Sequence, residues 1–220
     1  MSRWPDEKRE VLEASRKMVD KGLVVGTSGN VSLRLPPVDG REILAITPNR
    51  RYYDLMTVDD IQVVDFEVEP VEGDLAPSAE TMLHIGIYQV RKNVNAVIHT
   101  HSVFASAVAV AGMEIPVILD DQVTFLGGEI KIAEYALPGS EELVEKVVSA
   151  LGERNAVLLP NHGAVGVGRT MREAFTACEL LEKTAWIYVS ASTLGKVNTL
   201  PDEVIELGKT FFTMLHSGDE

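Results

Sequence analysis

A short apolar segment that carries two histidines constrains the fold of this chain more than any other feature. Ala96, Val97 and Ile98 precede His99 and His101 in the sequence Asn-Ala-Val-Ile-His-Thr-His. The apolar run predicts a buried β-strand, and residues two apart on a strand point to the same face. Both imidazoles would therefore lie side by side inside the protein. Burying them is costly unless a partner satisfies their nitrogen atoms, so the pair predicts a metal site.

His162 and Glu80 are the other candidate ligands. His162 lies in the turn Pro-Asn-His-Gly between two apolar segments, and Gly163 permits close approach of the backbone. Three imidazoles and one carboxylate form the donor set of a catalytic zinc site, which keeps one position for water or substrate. Sequence spacing alone leaves open whether the two histidine segments meet.

The remaining histidines and the single cysteine receive structural interpretations. His84 follows Glu80 by four residues on the same predicted helix, and we interpret it as a core residue or a group that supports the site. His216 is interpreted as an exposed residue near the favourable end of a helix dipole. Cys178 lies in a helical pattern and is interpreted as a small core residue.

Composition excludes several classes of function. The chain has 220 residues and a formal net charge of −13, which argues against nucleic acid as a partner because phosphate backbones require a basic face. No apolar stretch is long enough to span a membrane. The first ten residues are polar and charged and do not resemble a secretory signal, so we expect a cytoplasmic protein.

A glycine-rich segment follows the first predicted helix and contains Thr27, Ser28, Gly29 and Asn30. Backbone amides in such a turn can bind an anion, and the hydroxyl and amide side chains add donors. On this motif alone, a plain helix-to-strand loop is the favoured interpretation. Two further polar turns, one with Asn49 and Arg50 and one with Ser78, would complete a phosphate pocket if the three turns come together.

The order of predicted elements indicates an α/β protein, a single domain over residues 1–220. Strands joined by tight turns alternate irregularly with helices, which favours a mixed, mainly antiparallel sheet with helices on both faces. Predicted helices cover residues 5–21, 78–91 and 103–111, with others that begin at Ser140, Thr170 and Pro201. Ser78, Ser140 and Thr170 are predicted N-caps, and a short helical turn begins at Thr57, where Thr57 and Asp60 resemble a capping box. Predicted strands cover residues 31–35, 42–46, 62–68, 96–101, 116–119, 129–133, 155–159 and 164–167.

Six motifs follow one another along the chain: GTSGNVSLR, ITPNRRYYDL, PSAETMLH, AVIHTHS, FLGGEI and LLPNHG. In this order they resemble the class II aldolase/adducin family. The resemblance extends from the first helix to about Ala185 and implies a mixed, mainly antiparallel sheet sandwiched between helical layers. It also implies a homotetramer with active sites at subunit boundaries.

The resemblance implies a role for each matching residue. Glu80 matches a carboxylate that binds the empty metal and acts as a base once substrate arrives. The metal would be one Zn²⁺ per subunit, with Mn²⁺ or Co²⁺ as alternatives. His99, His101 and His162 match the metal ligands, and Thr27, Asn30 and Ser78 match positions that hold the substrate phosphate.

The chain departs from the family pattern at three places. Family members that act on L-fuculose 1-phosphate have a hydroxyl residue and glycine where this chain has Asn49 and Arg50, and a second serine where it has Ala79. Arg50 would supply a bidentate donor in their place. Asp120 aligns with a tyrosine that reaches the neighbouring subunit's site, and it is a candidate for the second proton transfer.

The function that the resemblance implies is reversible cleavage of a ketose 1-phosphate, similar to L-fuculose 1-phosphate, into dihydroxyacetone phosphate and an aldehyde through a metal-stabilised enediolate. Alternatives on the same site are a sugar-phosphate 4-epimerase, a methylthioribulose-1-phosphate dehydratase and a hydroxy-acid decarboxylase. A non-catalytic, adducin-like interaction domain is a remote alternative, because such a domain needs no metal ligands.

Overall fold

The computed structural model describes residues 2–216, and an eight-stranded sheet forms the centre of the protein. The strand order is β4-β3-β2-β1-β5-β8-β7-β6, and every pair is antiparallel except β6 with β7. This confirms the predicted mixed, mainly antiparallel sheet. The strands are β1 (Asn30–Val38), β2 (Arg41–Ile46), β3 (Gln62–Asp65), β4 (Pro70–Glu72), β5 (Ala96–Thr100), β6 (Lys131–Ile132), β7 (Ala156–Leu159) and β8 (Gly163–Gly168).

Helices cover both faces of this sheet, as the sequence predicted. On β5, Ala96 and Ile98 pack into a core with α1 and α5, whereas Val97 packs on the opposite face with α2 and α4. None of the described helices is long and apolar enough to span a lipid bilayer. The helices are α1 (Pro5–Asp20), α2 (Thr81–Val90), α3 (Val103–Val110), α4 (Glu141–Leu151), α5 (Met171–Leu194) and α6 (Asp202–His216).

The central position of β5 determines where the candidate residues meet. This strand pairs with β1 on one side and β8 on the other, both antiparallel, so the starts of β1 and β8 lie beside its end. His99 is opposite Asn30 on β1 and Val165 on β8. The turn between β7 and β8, which contains His162, therefore lies at the same edge of the sheet as the glycine-rich segment.

The capping patterns seen in the sequence act largely as expected. The Thr57 side chain and the Asp60 carboxylate form a capping box around a short 3₁₀ helix (Val58–Asp60). The hydroxyl of Ser140 accepts from the amide of Leu143, and that of Thr170 accepts from Glu173. These bonds satisfy backbone amides that have no partner in the first helical turn.

The prediction that Ser78 caps α2 is wrong. The helix begins at Thr81, and Glu80 occupies the capping position. The Ser78 hydroxyl accepts from the amide of Glu80 at 3.2 Å, and the Ser78 carbonyl accepts from the Thr81 hydroxyl. Ser78 thus holds an extra turn before the helix, which places Glu80 at the start of α2.

The predicted strand over residues 116–119 is also wrong. The segment runs into a π-helical turn, Gln122–Leu126. The Gln122 side chain donates to the carbonyls of Pro116 and Gly128 and accepts from the amide of Ile118. Because one side-chain amide satisfies these backbone groups, they do not need a neighbouring strand.

Strand limits differ from prediction at both edges of the sheet. The strand predicted over residues 62–68 ends at Asp65, because its carboxylate accepts from the amides of Glu67 and Glu69 and closes a turn. Val68 has a positive φ of 65° in that turn. The chain then returns as β4, a strand that was not predicted from the sequence. The strand predicted over residues 129–133 is reduced to β6, Lys131–Ile132.

Candidate active site

Three histidine side chains converge at the end of β5. The Nε2 atom of His99 lies 2.9 Å from Nε2 of His101 and 3.2 Å from Nε2 of His162. One ligand atom from each residue lies within 4.8 Å of the other two. His99 is fully buried and the other two are partly exposed, so the group forms the floor of an open site.

The protonation of these histidines suits metal binding. The Nδ1 atom of His99 lies 3.0 Å from the carbonyl oxygen of Ala164, which only accepts, so Nδ1 carries the hydrogen and Nε2 presents a lone pair. Burial, followed by the charges of neighbouring histidines, lowers the pKa of both His101 and His162 to about 4. His101 and His162 can therefore supply their nitrogen donors at neutral pH without first losing a proton.

The donor set fits a divalent metal. Two imidazole nitrogens on one tetrahedral zinc ion lie about 3.3 Å apart, close to the 2.9 and 3.2 Å observed. Neutral imidazoles that face one another lack enough hydrogens to satisfy all their lone pairs, and a cation at their centre would do so. The residues that could hold the metal are His99, His101 and His162, with Glu80 beside them.

The Glu80 carboxylate reaches the same group of histidines from the start of α2. Its Oε2 atom is 3.3 Å from Nε2 of His99, and its Oε1 atom is 3.4 Å from Nε2 of His162. Asn30 donates to Oε2 at 2.8 Å. Burial raises the pKa of Glu80, but the charges of His99 and His162 and the hydrogen bond from Asn30 bring that pKa below its ordinary value. The carboxylate is therefore ionised at neutral pH.

A cleft of about 240 Å³ opens above this group. Every predicted site residue lines it except two: His99, which lies buried beneath, and Asp120. The three donor-rich turns thus come together, as a phosphate pocket would require. The lining residues from the prediction are Thr27, Ser28, Gly29, Asn30, Asn49, Arg50, Ser78, Glu80, His101 and His162.

Asp120 is the one predicted residue that the fold of a single chain separates from the cleft. Its exposed side chain borders a different cavity, together with Val123 and with Leu200 and Val204 near α6. That Asp120 acts at the site of a neighbouring subunit, as the family resemblance implies, stays a prediction.

Close packing at Gly29 and Gly163 brings the site together. Gly29 has a φ of +74°, and a Cβ atom there would lie 2.6 Å from the carbonyl oxygen of His99. A Cβ atom on Gly163 would collide with the carbonyl oxygen of Thr100 and lie 3.0 Å from the His101 ring. Both glycines therefore let the glycine-rich segment and the His162 turn approach β5.

Two supporting residues were missed or only partly recognised in the sequence. The hydroxyl of Tyr53 lies 2.6 Å from the carbonyl of Gly29 and 3.1 Å from that of Ser28, and so holds the glycine-rich segment from below. His84 is fully buried, which confirms its interpretation as a core or supporting group. Its Nε2 atom contacts Asn30, not the centre of the histidine group.

The interpretation of His216 as an exposed residue is wrong. The residue is partly buried, its Nδ1–H donates to the carbonyl of Phe212, and its Nε2 accepts from the side chain of Asn155. Asn155 and His216 are far apart in the sequence, so a local sequence pattern does not reveal their contact. Cys178 is buried in the core, as predicted.

The fold and this site correspond to a known family. A sequence profile of the class II aldolase and adducin N-terminal domain matches residues 9–189. The chain belongs to this family, which confirms the resemblance seen in the motifs.

Its relatives are aldolases. The chain is 33% identical over 208 residues to 5-deoxy-D-ribulose 1-phosphate aldolase of Bacillus thuringiensis, covering 93% of this chain and 95% of the relative. It is 34% identical to L-fuculose phosphate aldolase of Escherichia coli K12, covering 92% and 94%. A solved structure of an L-fuculose 1-phosphate aldolase superposes with a TM-score of 0.88 at 33% identity, covering 97% of this chain and 98% of the other. The protein is thus an enzyme of the class II aldolase type, a lyase.

Proposed function

We propose that this enzyme is a zinc-dependent lyase that reversibly cleaves a ketose 1-phosphate into dihydroxyacetone phosphate and an aldehyde. The observation that carries the proposal is the convergence of three imidazoles and the Glu80 carboxylate on the floor of a cleft lined by anion donors. The names of the relatives, which refer to L-fuculose phosphate and 5-deoxy-D-ribulose 1-phosphate, support a ketose 1-phosphate as the substrate class.

His99, His101 and His162 would hold the metal ion. A bound zinc ion would act as a Lewis acid toward the carbonyl oxygen of the three-carbon unit. The hydrogen bond from His99 Nδ1 to Ala164 fixes the ring orientation, as is usual for ligating histidines. Glu80 lies close enough to both His99 and His162 to complete the donor set until substrate replaces it.

Glu80 would serve as the base. In the condensation direction it takes the proton from the carbon next to the carbonyl group of dihydroxyacetone phosphate, and that carbon then forms the new bond to the aldehyde. In the cleavage direction it returns the proton to the same carbon. Its lowered pKa keeps the carboxylate ionised and ready to accept at neutral pH.

The three polar turns would hold the phosphate group. Thr27, Ser28 and Ser78 contribute hydroxyl donors on one side of the cleft, and Gly29 allows backbone approach. Asn49 and Arg50 also line the cleft, and the Arg50 guanidinium would replace donors that other members supply by hydroxyl groups. These contacts position the substrate and perform no bond chemistry.

A second proton must reach the aldehyde oxygen when the new bond forms. We infer that Asp120 supplies it from a neighbouring subunit, since within one chain it lies outside the cleft. This assignment requires the homotetramer with sites at subunit boundaries that the resemblance implies. A small sugar phosphate substrate and a cytoplasmic location complete the proposal.

Proton exchange in heavy water tests the role of Glu80. The zinc-loaded enzyme should replace one carbon-bound hydrogen of dihydroxyacetone phosphate with deuterium. Proton NMR would measure the rate of this exchange. Glu80→Gln should lower this rate by about 10²- to 10⁴-fold while the zinc content stays the same. Glu206→Gln, a change at an exposed carboxylate on α6, is the control and should exchange like the parent. Unchanged exchange in Glu80→Gln would remove Glu80 from the role of base.

The reaction itself is tested with a panel of phosphorylated ketoses, scored for dihydroxyacetone phosphate by a coupled reductase. The panel includes L-fuculose 1-phosphate and 5-deoxyribulose 1-phosphate. Release of dihydroxyacetone phosphate supports cleavage. Consumption of a substrate without this product would point instead to epimerisation, dehydration or decarboxylation, and would overturn the proposal.

A further inference from the structure

Strand β1 and helix α2, with Glu80 at its cap, present two matched columns of polar residues behind the cleft. Asn30 and Ser32 lie two residues apart on one face of the strand, while Glu80, His84 and Tyr88 lie four residues apart along the helix segment. Two strand residues advance about 6.7 Å and four helical residues about 6 Å, so the columns stay in register. Each strand residue therefore fits between two helix residues.

Hydrogen bonds connect the two columns without a break. Asn30 Nδ2 donates to Glu80 Oε2 at 2.8 Å, and Asn30 Oδ1 lies 2.5 Å from His84 Nε2. Ser32 Oγ lies 2.7 Å from both His84 Nδ1 and the Tyr88 hydroxyl. Ser32, His84 and Tyr88 are completely buried, and Asn30 is 4% exposed, so solvent does not compete for these bonds.

The chemistry of the groups fixes the direction of the bonds that run from Glu80 through Asn30 and His84 to Ser32. An ionised carboxylate only accepts, so the Asn30 NH₂ group faces Glu80 and its carbonyl oxygen faces His84. The Nε2 atom of His84 must then carry the hydrogen, and Nδ1 accepts from the Ser32 hydroxyl. Burial, together with the charge of His99, lowers the pKa of His84 to about 3, so the ring is neutral and carries one hydrogen only.

We propose that His84 is a positioning residue for Glu80, because its Nε2–H group holds the Asn30 side chain in the one orientation that donates to the Glu80 carboxylate. This inference rests on the proposed role of Glu80 as the base. A flipped Asn30 amide would bring Oδ1 against Oε2 of Glu80, two acceptors in contact with no hydrogen between them. The His84 donor makes that flip unfavourable, since Oδ1 would lose its partner in a buried place.

The same column determines where the abstracted proton goes. A side-chain amide donates and accepts hydrogen bonds but does not pass a proton from one side to the other under these conditions. A proton taken up by Glu80 therefore does not leave through Asn30 and His84. It stays on the Glu80 carboxyl group at the cleft, where it can return to the same carbon or exchange with solvent.

Two substitutions of His84 separate positioning from other roles. His84→Gln offers an NH₂ donor toward Asn30 and a carbonyl acceptor toward Ser32, and so reproduces the pattern of bonds without a titratable ring. His84→Met fills a similar volume and offers neither. We expect His84→Met to lower kcat on the order of tenfold to a hundredfold with KM unchanged, and His84→Gln to keep most of kcat. Tyr88→Phe is the control, because Ser32 can still donate to His84 when the tyrosine hydroxyl is lost.

The zinc-loaded variants would be compared by kcat, KM, zinc content and melting temperature. A His84→Met enzyme with parental kcat would overturn the inference. A His84→Met enzyme that differs from the parent only in KM would also overturn it. So would equal losses of kcat in His84→Gln and His84→Met, because the hydrogen bonds that glutamine reproduces would then have no effect on kcat. If the parent enzyme did not exchange hydrogen on dihydroxyacetone phosphate, the proposed function would be wrong. The hydrogen bonds of His84 would then be tested by nitrogen NMR alone.

Nitrogen NMR of the unsubstituted protein, labelled at histidine, tests the bond pattern without any activity. His84 should appear as the neutral Nε2–H tautomer, whereas His99 should appear as the Nδ1–H tautomer that its bond to Ala164 requires. Assignment uses His84→Gln as the sample that lacks one ring. A His84 ring protonated at Nδ1 would contradict the inference, whether or not the substituted proteins fold.

Discussion

The Oε2 atom of Glu80 lies 3.3 Å from Nε2 of His99, although the two residues belong to different elements and His99 is completely buried. The contact exists because the start of α2 lies over the end of β5. The carboxylate that would act as base and the imidazole that would bind the metal therefore share one point. A cation there would be bound by charge as well as by nitrogen lone pairs.

The first prediction concerns the metal. Zinc added to metal-free enzyme should raise the melting temperature, since an ion that binds only the folded state stabilises it by about 2.7 kcal/mol at a hundred times its dissociation constant. His101→Ala should remove most of this rise and most of the bound zinc, measured by metal analysis. His216→Ala, at a histidine bonded to Asn155 and far along the chain, should keep both. Equal zinc content in the two variants would contradict the three-histidine site.

The second prediction compares two glycines of the same segment. Gly29→Ala places a Cβ atom 2.6 Å from the His99 carbonyl oxygen at a φ of +74°, whereas Gly26→Ala meets nothing within 4 Å at a φ of +67°. Gly26→Ala should lower the free energy of unfolding by about 1 to 2 kcal/mol, the cost of the left-handed backbone alone. Gly29→Ala should cost more and also weaken zinc binding, because β5 must move.

Urea unfolding and zinc titration of the two variants provide the measurement. Equal loss of stability in both would mean that the close approach of Gly29 to β5 has no energetic consequence. Weaker zinc binding in Gly26→Ala would mean that the whole segment, not the contact at Gly29, controls the position of His99.

The sequence predicted the parts of the site that depend on local pattern. The alternation of His99 and His101 after an apolar run is a two-residue period, and it correctly placed both rings at the end of a buried strand. Sequence spacing did not show that His162 meets them, because that contact depends on strand order. Only the family resemblance implied it, through the order of six motifs.

The features that the sequence did not predict depend on contacts between distant residues. The Gln122 side chain donates to the carbonyls of Pro116 and Gly128, so this segment needs no strand partner. Local residue propensities do not predict such a contact. The bond between His84 and Asn30 spans 54 positions. The sequence shows polar residues two apart on β1 and four apart along α2. It does not show that these two columns pair, because that depends on the fold.

The third prediction concerns Arg50, which lines the cleft with a positive φ of 53°. A non-glycine residue in this conformation costs about 1 to 2 kcal/mol, part of which Arg50→Gly would recover. We expect this variant to be slightly more stable than the parent yet to have a higher KM for a ketose 1-phosphate, by about tenfold, because a charge-assisted bond to the phosphate is lost. Calorimetry and steady-state kinetics measure the two effects.

Arg51 provides the matched control for Arg50. Its guanidinium pairs with Asp60 at 2.6 Å, and it does not line the cleft. Arg51→Ala should therefore leave KM unchanged. If Arg50→Gly left KM unchanged as well, the guanidinium would have no part in phosphate binding and the departure from the family pattern would need another explanation.

The fourth prediction concerns the dependence of stability on pH at the contact between α1 and β4. Lys8, only 2% exposed, donates to Glu72 Oε1 at 2.8 Å, and the amide of Arg3 donates to Oε2. Burial raises the pKa of Glu72, but hydrogen bonds from Lys8, Ser2 and Arg3 lower it from 4.5 to about 2. A lowered pKa in the folded state means stabilisation that is complete above pH 4.5 and is lost as the pH falls toward 2.

Glu72→Gln mimics the protonated carboxyl group, so it should cost about 1 to 2 kcal/mol at pH 7, after allowance for partial solvent exposure, and almost nothing near pH 2. Urea unfolding at pH 7, 5, 4 and 3 measures the difference from the parent, which should shrink over the three lowest values. Glu206→Gln removes a carboxylate that is 71% exposed and pairs with Lys209, so it should change stability little at any pH. If the difference in stability between Glu72→Gln and the parent stayed constant with pH, ionisation of Glu72 would not stabilise the fold. A stabilising effect of the Glu72 charge must disappear when low pH protonates the carboxylate.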